Sequence, residues 1–205
     1  MLFRSNIDKA SEQKDYLRGF GYQGSASRSD WTRPIKELNY FGSKLKADLI
    51  EPGPWRMGIG SWGECLPYHE NRVFLSPALR DKWGQPTVTF DCEWKQNELN
   101  MRKDMKASAV EMLEAAGLKN VTPYDDVVNS APGNCIHEMG TARMGRDPKT
   151  SVLNGWNQVH AVPNVFVTDG ACMASAACVN PSLTYMALTA RACDHAVDEL
   201  KKLNL

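Results

Sequence analysis

An unbroken alternation of polar and apolar side chains is the feature that most constrains how this chain can fold. In residues 87–94 every second residue is apolar, so an extended backbone places Val88, Phe90, Cys92 and Trp94 on one face. Successive side chains of a strand point to opposite sides, and this pattern predicts a strand with one buried face. One-sided burial is typical of antiparallel sheets. We therefore expect an antiparallel sheet around this segment.

Neighbouring segments supply partners for this strand. Residues 71–76 have a strand-like composition and are joined to it by a connection that contains the turn-forming run 81–84. Residues 56–60 are a candidate third strand, so that strands are expected across 55–94. Residues 1–54 are polar and weakly periodic, and we expect irregular structure there.

Two later segments predict helices. Residues 97–116 place apolar side chains on one helical face, and Gly117 suits the C-terminal cap. Several methionines lie on this face, and we interpret them as core, a binding groove being the alternative. Residues 182–202 predict a final helix whose buried face carries Leu183, Met186, Ala187, Ala190, Val197 and Leu200. Strand pairs followed by helices indicate an α+β fold.

A glycine-rich segment, residues 19–24, formally matches the G-x-G-x-x-G pattern of dinucleotide-binding loops. That pattern needs a buried strand before it and a helix after it, because the phosphate lies on the first amides of the helix. The flanking residues 13–18 and 25–30 are polar and predict neither element. We therefore reject the dinucleotide interpretation and expect a glycine-rich loop.

Charge and composition narrow the classes of partner. The 205 residues carry a formal net charge of zero, and Lys and Arg form no cluster. A balanced surface gives no attraction to nucleic acid or to an anionic membrane, so a small molecule or another protein is the expected partner. No apolar run reaches the length of a membrane span, and the first residues turn charged before a signal-peptide core forms. We expect a soluble protein without a targeting signal.

The six cysteines show neither C-x-x-C pairs nor the density of a disulfide-rich scaffold. We expect them to be mainly small buried residues. A zinc site formed by Cys135, His137, Cys172 and Cys178 is disfavoured, because the spacings match no standard ligand set. A Cys135–His137 nucleophile pair is disfavoured too, since a catalytic Cys–His couple normally comes from separate elements.

Two short segments near the end carry the candidate chemistry. Residues 135–141 read Cys-Ile-His-Glu-Met-Gly-Thr, and residues 180–184, which open the last helix, read Asn-Pro-Ser-Leu-Thr. Histidine suits a general base because its ordinary pKa lies near neutrality, whereas an asparagine amide donates a hydrogen bond without competing for the proton. His137 and Asn180 could therefore flank one substrate oxygen.

The chain between and after these segments offers contacts for a cofactor. Residues 164–168 predict a short buried strand ending in the turn Asp169-Gly170, where backbone commonly meets a phosphate or cofactor. The first amides of the helix after Pro181 are unsatisfied, and Ser182 or Thr184 could cap them or touch a ligand. Each piece also has an ordinary interpretation: a core histidine, a common turn and an everyday helix start.

The order of these features resembles the C-terminal part of the glucose-methanol-choline (GMC) family of flavin-dependent alcohol oxidoreductases. The pairs Gly140-Thr141 and Met144-Gly145 belong to the same pattern. The resemblance implies a substrate-domain portion in 1–134, built mainly of antiparallel sheet flanked by helices. It implies a catalytic and FAD-contacting segment in 135–205 that completes the FAD domain with a strand and a helix.

The resemblance also assigns roles to the candidate residues. His137 is the expected base, and Asn180 occupies a position where the family carries His or Asn. Asp169 and Gly170 are expected near the ribityl or diphosphate portion of FAD. The residues expected at the flavin ring, whose N1/C2 carbonyl edge the helix amides would face, are Asn180, Pro181, Ser182 and Thr184. The implied activity is oxidation of a CH–OH group of an alcohol or sugar, with hydride transfer to FAD.

The sequence departs from the family pattern in one respect. Complete members begin with a dinucleotide-binding unit that carries the glycine fingerprint and holds the adenosine half of FAD, and this chain contains no such unit. FAD binding is therefore expected to need an N-terminal FAD-binding half or a partner chain. The alternative is a non-catalytic relic or interaction module that keeps the fold and binds no flavin. The sequence specifies neither the alcohol nor the electron acceptor.

Overall fold

The computed structural model describes residues 2–5, 12, 15–28, 40–126 and 130–205, the first of these ranges by its backbone alone. Within them the chain forms short antiparallel sheets and three helices, which confirms the predicted α+β class. The strands are β1 Leu2–Ser5, β2 Gly19–Arg28, β3 Trp55–Gly63, β4 Arg72–Arg80, β5 Pro86–Asp91, β6 Gln158–Val159 and β7 Val162–Phe166. The α-helices are α1 Ser43–Ile50, α2 Gln96–Ala115 and α3 Ser182–Lys201, and a 3-10 helix spans Gly170–Cys172.

We expected irregular structure in residues 1–54, but the described part of that range forms strands and a helix. Strand β2 lies at the centre of a sheet ordered β1-β2-β3, and helix α1 follows it in the chain. The glycine-rich segment 19–24 therefore forms a strand and not a loop. Its glycines alternate with Phe20 and Tyr22, and both aromatic side chains are buried. That two-residue period was the sequence signal for this strand.

The principal core of the described residues lies between β2, β3 and α2. Phe20 and Tyr22 pack edge to face with ring centroids 5.5 Å apart, and the Tyr22 hydroxyl donates to the Met105 carbonyl at 2.7 Å. Met101 and Met105 are buried in the same cluster with Tyr16. The methionine face of α2 is therefore core, as predicted.

Strands β4 and β5 form the predicted hairpin, in which Arg72 opposes Asp91 and Leu75 opposes Val88. The face expected to be buried is nevertheless open, because Val88 and Phe90 are 55% and 63% exposed. The candidate third strand pairs elsewhere: β3 is hydrogen-bonded to β2 in the other sheet. The alternation correctly predicted a strand, but the described residues cover its apolar side only in part, with Gly133 beside the Phe90 ring.

Helix α3 also differs from expectation. Its apolar stripe, which we define as Leu183, Met186, Val197 and Leu200, is exposed, with Leu183 at 79% and Met186 at 68%. Ala192, on another side of the helix, is its one buried residue. The sequence correctly predicted an amphipathic helix, yet the described residues do not supply the surface on which the stripe would pack. None of the helices in the described ranges has an apolar stretch suited to crossing a bilayer.

The prediction that the cysteines are mainly buried is wrong. Cys172 is buried, Cys92 and Cys178 are intermediate, and Cys65, Cys135 and Cys193 are exposed. Cys193 directly follows the buried Ala192 on α3 and is nevertheless exposed, so a small apolar residue reaches a core only where its own side of the element is covered.

We predict that Gly24→Ala destabilises the β2–β3 sheet. A Cβ at this position would lie 2.4 Å from the Gly58 carbonyl oxygen, a backbone atom that can move only by shifting the paired strand. Overpacking of this kind costs about 1–3 kcal/mol of unfolding free energy. The matched control is Gly58→Ala, whose Cβ would meet nothing within 4 Å. Urea unfolding of both variants tests this, and equal stability of the two would contradict it.

Candidate functional site

Backbone hydrogen bonds place the histidine segment beside the chain that leads to Asn180. Gly140 N donates to Gly170 O at 3.4 Å, Ala142 N to Ala171 O at 3.0 Å and Met144 N to Cys172 O at 2.9 Å. These successive contacts align residues 140–144 with 170–172. His137 precedes one end of this ladder by three residues, and Asn180 follows the other end by eight. The loop after Cys172 turns back, since the Met173 carbonyl oxygen lies beside Gly140, and it returns Asn180 to His137.

A buried asparagine fixes α3 against this ladder. Asn157 is fully buried and adopts a left-handed backbone conformation with φ of 62°. Its side-chain amide donates to Val167 O at 3.0 Å, and its backbone carbonyl accepts from Val167 N at 2.9 Å. Its Oδ1 accepts from Arg191 Nη2 at 3.3 Å. The end of β7 and the middle of α3 are thus held by one residue.

Gly170 joins the histidine segment to the first turns of α3. A Cβ on Gly170 would lie 2.9 Å from Met139 Sδ and 3.0 Å from the Tyr185 hydroxyl. Without it, that hydroxyl donates to Met139 Sδ at 3.5 Å. Burial, followed by the nearby Asp169 carboxylate, raises the pKa of Tyr185, so the phenol stays a protonated donor. Because Gly170 has no side chain, Met139 and Tyr185 can pack against its backbone.

His137 and Asn180 meet in the structure. His137 Nε2 lies 3.0 Å from Asn180 Oδ1, and Nδ1 lies 3.2 Å from the Cys135 carbonyl oxygen, to which its N–H donates. Both side chains are exposed, so His137 is not a core histidine. The structure thus brings together the two residues predicted to share a substrate oxygen.

This pair accommodates two protonation states of the imidazole. With Nδ1–H donating to Cys135, a neutral ring has its lone pair on Nε2, and the Asn180 amide then presents its NH₂ group as donor. A protonated ring donates from Nε2–H to Oδ1 instead. The amide oxygen and nitrogen exchange places by rotation of the side chain, so Asn180 can follow the charge of the ring. A group that takes up a proton needs this kind of adaptable neighbour.

The start of α3 lies next to the pair. Pro181 is the N-cap, no side chain caps the helix among the described residues, and the first turn contains no acidic residue. Ser182, Leu183 and Thr184 are exposed. The first-turn N–H groups are consequently available donors with partial positive charge. The expected capping by Ser182 or Thr184 does not occur, which leaves these donors open to a ligand.

The Asp169 side chain has a structural role in the chain itself. Its Oδ1 accepts from Ala171 N at 2.9 Å and so caps the 3-10 helix. Gly170 has no side chain, so a contact from it to a cofactor would come from backbone. Among the described residues, no cluster of His, Cys, Asp or Glu has the arrangement of a metal site.

Sequence reasoning missed two residues that shape the site. Asn157 had no motif to mark it, although asparagine tolerates the left-handed conformation better than most residues. Glu138 was visible within residues 135–141 but received no role; in the structure its Oε1 accepts from Cys135 N at 2.7 Å. In addition, the Ser175 hydroxyl donates to Glu64, and this contact ties the loop before Asn180 to the end of β3.

Comparison with known proteins adds to this geometry. A family model described as GMC oxidoreductase matches residues 67–189. The chain is 37% identical, over 95% of its length, to a 2-methyl-1,2-propanediol dehydrogenase of Mycolicibacterium austroafricanum and spans 35% of that relative. It is 30% identical, over 89% of its length, to the fructose dehydrogenase large subunit of Gluconobacter japonicus and spans 32% of it.

A third relative is named as a flavoprotein. The gluconate 2-dehydrogenase flavoprotein of Pantoea cypripedii is 29% identical over 73% of this chain, which spans 25% of that relative. The chain therefore covers a third or less of the length of these curated relatives, apart from the slightly larger share of the propanediol dehydrogenase.

We predict that Asn157→Ala destabilises the part of the chain that carries the site. The substitution removes the side-chain amide that bonds to the half-buried Val167 carbonyl, which costs about 1 kcal/mol of unfolding free energy. Asn120→Ala is the matched control, because Asn120 has a similar φ of 56° and is exposed. Chemical unfolding measures both, and a loss for Asn157→Ala no larger than that of the control would refute the role of the buried amide.

Proposed function

Since this chain belongs to the GMC oxidoreductase family, we propose that it forms the C-terminal, substrate-side portion of a flavin-dependent oxidoreductase acting on a CH–OH group of an alcohol or sugar. The observation that carries the proposal is the 3.0 Å contact between His137 Nε2 and Asn180 Oδ1 beside the open start of α3. The relatives named for propanediol, fructose and gluconate indicate the class of donor.

His137 is the proposed general base. The Cys135 carbonyl accepts from Nδ1–H, which leaves the Nε2 lone pair directed toward Asn180 and the substrate position. The substrate hydroxyl donates its proton to Nε2, and the Asn180 amide binds the same oxygen as hydride leaves the adjacent carbon. Asn180 then turns its carbonyl oxygen toward the imidazolium that results. The pair therefore both orients the alcohol and holds its proton.

The open helix start and the exposed polar residues around it fit a site for FAD. When bound, FAD supplies the acceptor for the hydride. Asn180, Pro181, Ser182 and Thr184 would hold the ring, and the uncapped N–H groups of the first turn would favour electron density there. Asp169 and Gly170 would contribute through their backbone amides, while Asp169 Oδ1 holds the turn by accepting from Ala171 N.

An N-terminal FAD-binding half, in the same longer chain or in a partner chain, is the second part of the proposal. The apolar stripe of α3 and the open face of β5 leave an uncovered apolar surface on the described residues. Exposed apolar surface of this extent is typical of an interface. In this view residues 1–134 belong to the substrate domain and 135–205 complete the FAD domain. A relic without catalysis would not need the paired His137 and Asn180.

We predict that FAD is retained only when the FAD-binding half is present. The chain mixed with FAD alone should lose flavin absorbance on desalting, whereas the chain co-expressed with that half should keep it. Met186→Asp in the α3 stripe should abolish retention by placing a charge in the interface. The control is Lys201→Gln at the end of the same helix, which removes a charge outside the stripe. Retention by the Met186→Asp complex would argue against the proposed interface.

We predict that His137→Ala in the assembled enzyme lowers kcat about 10²–10⁴-fold, the usual contribution of a general base. Flavin content, measured by absorbance, should not change. The control is His195→Phe, which keeps a ring stacked on Trp156, 4.6 Å away by centroid in the native chain, and removes an imidazole from outside the pair. Undiminished alcohol oxidation by His137→Ala would exclude the residue as the base.

A further inference from the structure

We propose that Glu138 is a positioning residue, whose carboxylate holds the turn that directs the His137 imidazole toward Asn180. This inference rests on the proposed function, because the direction of the ring affects turnover only if His137 is the base. The Glu138 carboxylate forms a hydrogen bond within the turn, and we assign it no contact with substrate.

The turn contains an unusual backbone conformation. Ile136 has a φ of 57°, in the left-handed region that β-branched residues rarely occupy. Its side chain is 92% exposed, so packing does not hold it there. Strained conformations of this kind persist where neighbouring contacts fix the chain, and they concentrate at functional sites. Some other interaction must therefore keep residue 136 in place.

Two hydrogen bonds to the Cys135 backbone supply that interaction. Glu138 Oε1 accepts from Cys135 N at 2.7 Å, and the Cys135 carbonyl accepts from His137 Nδ1–H at 3.2 Å. The first bond is charge-assisted and therefore the stronger of the two. It closes the turn around Ile136 and leaves the Cys135 carbonyl facing the imidazole.

The Cys135 thiol takes no part in this arrangement. Partial desolvation of the sulfur, with a smaller contribution from the Glu138 carboxylate, raises the pKa of the Cys135 thiol, so that it stays protonated near neutral pH. A protonated thiol is a poor nucleophile. The backbone of Cys135 is thus the part that the turn uses, and Glu138 acts on the imidazole through it.

The turn selects the useful tautomer of His137. A carbonyl held against Nδ1 keeps the proton on that nitrogen and frees the Nε2 lone pair for the substrate. If the Glu138 contact is lost, Ile136 relaxes to an ordinary backbone conformation and the Cys135 carbonyl turns away. The ring then samples both tautomers and loses its fixed distance to Asn180. The turn requires a hydrogen-bond acceptor at residue 138, and glutamine also provides one. We therefore expect Glu138→Gln to keep the turn largely intact.

The first test uses the full chain, labelled with ¹⁵N, and compares Glu138→Ala, Glu138→Gln and the control Glu111→Ala on α2. Glu138→Ala should raise hydrogen exchange at the Cys135 amide about tenfold, and the ¹⁵N shifts of the His137 ring should move toward a tautomer average. Glu138→Gln and the control should match the native chain. An unchanged ring signature in Glu138→Ala overturns the proposal, as does equal disturbance by alanine and glutamine.

The second test uses the enzyme assembled with its FAD-binding half. Glu138→Ala should lower kcat about 10–100-fold with a smaller change in KM, because a displaced base slows the reaction more than it weakens binding. Flavin content should not change, and Glu138→Gln should restore most of the rate. If the native assembled enzyme oxidises no alcohol, the proposed function fails, while the ring signature still decides whether Glu138 positions His137.

Discussion

The buried amide of Asn157 is the contact on which the geometry of the site depends. A fully buried polar side chain destabilises a protein unless its hydrogen-bonding groups are satisfied, and Asn157 satisfies its own by bonding to Val167 and Arg191. Those partners belong to the segment after β7 and to α3. The position of α3 relative to the 3-10 helix, and therefore that of Asn180, follows from this arrangement.

The pair of His137 and Asn180 is held by backbone contacts more than by its own side chains. The ladder from residues 140–144 to 170–172 and the packing at Gly170 bring two distant segments together, and the loop after Cys172 returns the exposed Asn180 to His137. Backbone ladders are rigid because each bond fixes its neighbour. A site supported in this way can keep polar side chains exposed for a substrate while remaining ordered. The strained turn at Ile136 also supports the pair, because it directs the His137 ring.

Local patterns predicted much of the fold and of the site. The alternation at 87–94, the helical face of α2 and the sequence around His137 and Asn180 each depend on residues close in the chain, and each gave a correct type of element or a usable residue. The failures share a different cause. The exposed faces of β5 and α3 and the exposed cysteines depend on what lies opposite them, and β2 was missed because its glycines resembled a loop although Phe20 and Tyr22 alternate with them.

The sequence by itself determined that the chain is α+β, that a histidine segment precedes an Asn-Pro helix start, and that these resemble one family, because periodicity and motif order are local properties. Only the tertiary structure decided that His137 and Asn180 come within 3.0 Å, that Asn157 and Glu138 support them, and that the apolar stripe of α3 has no cover among the described residues. These facts join residues far apart in the chain. Such contacts follow from packing and hydrogen-bond satisfaction across the whole fold, which no single segment of sequence records.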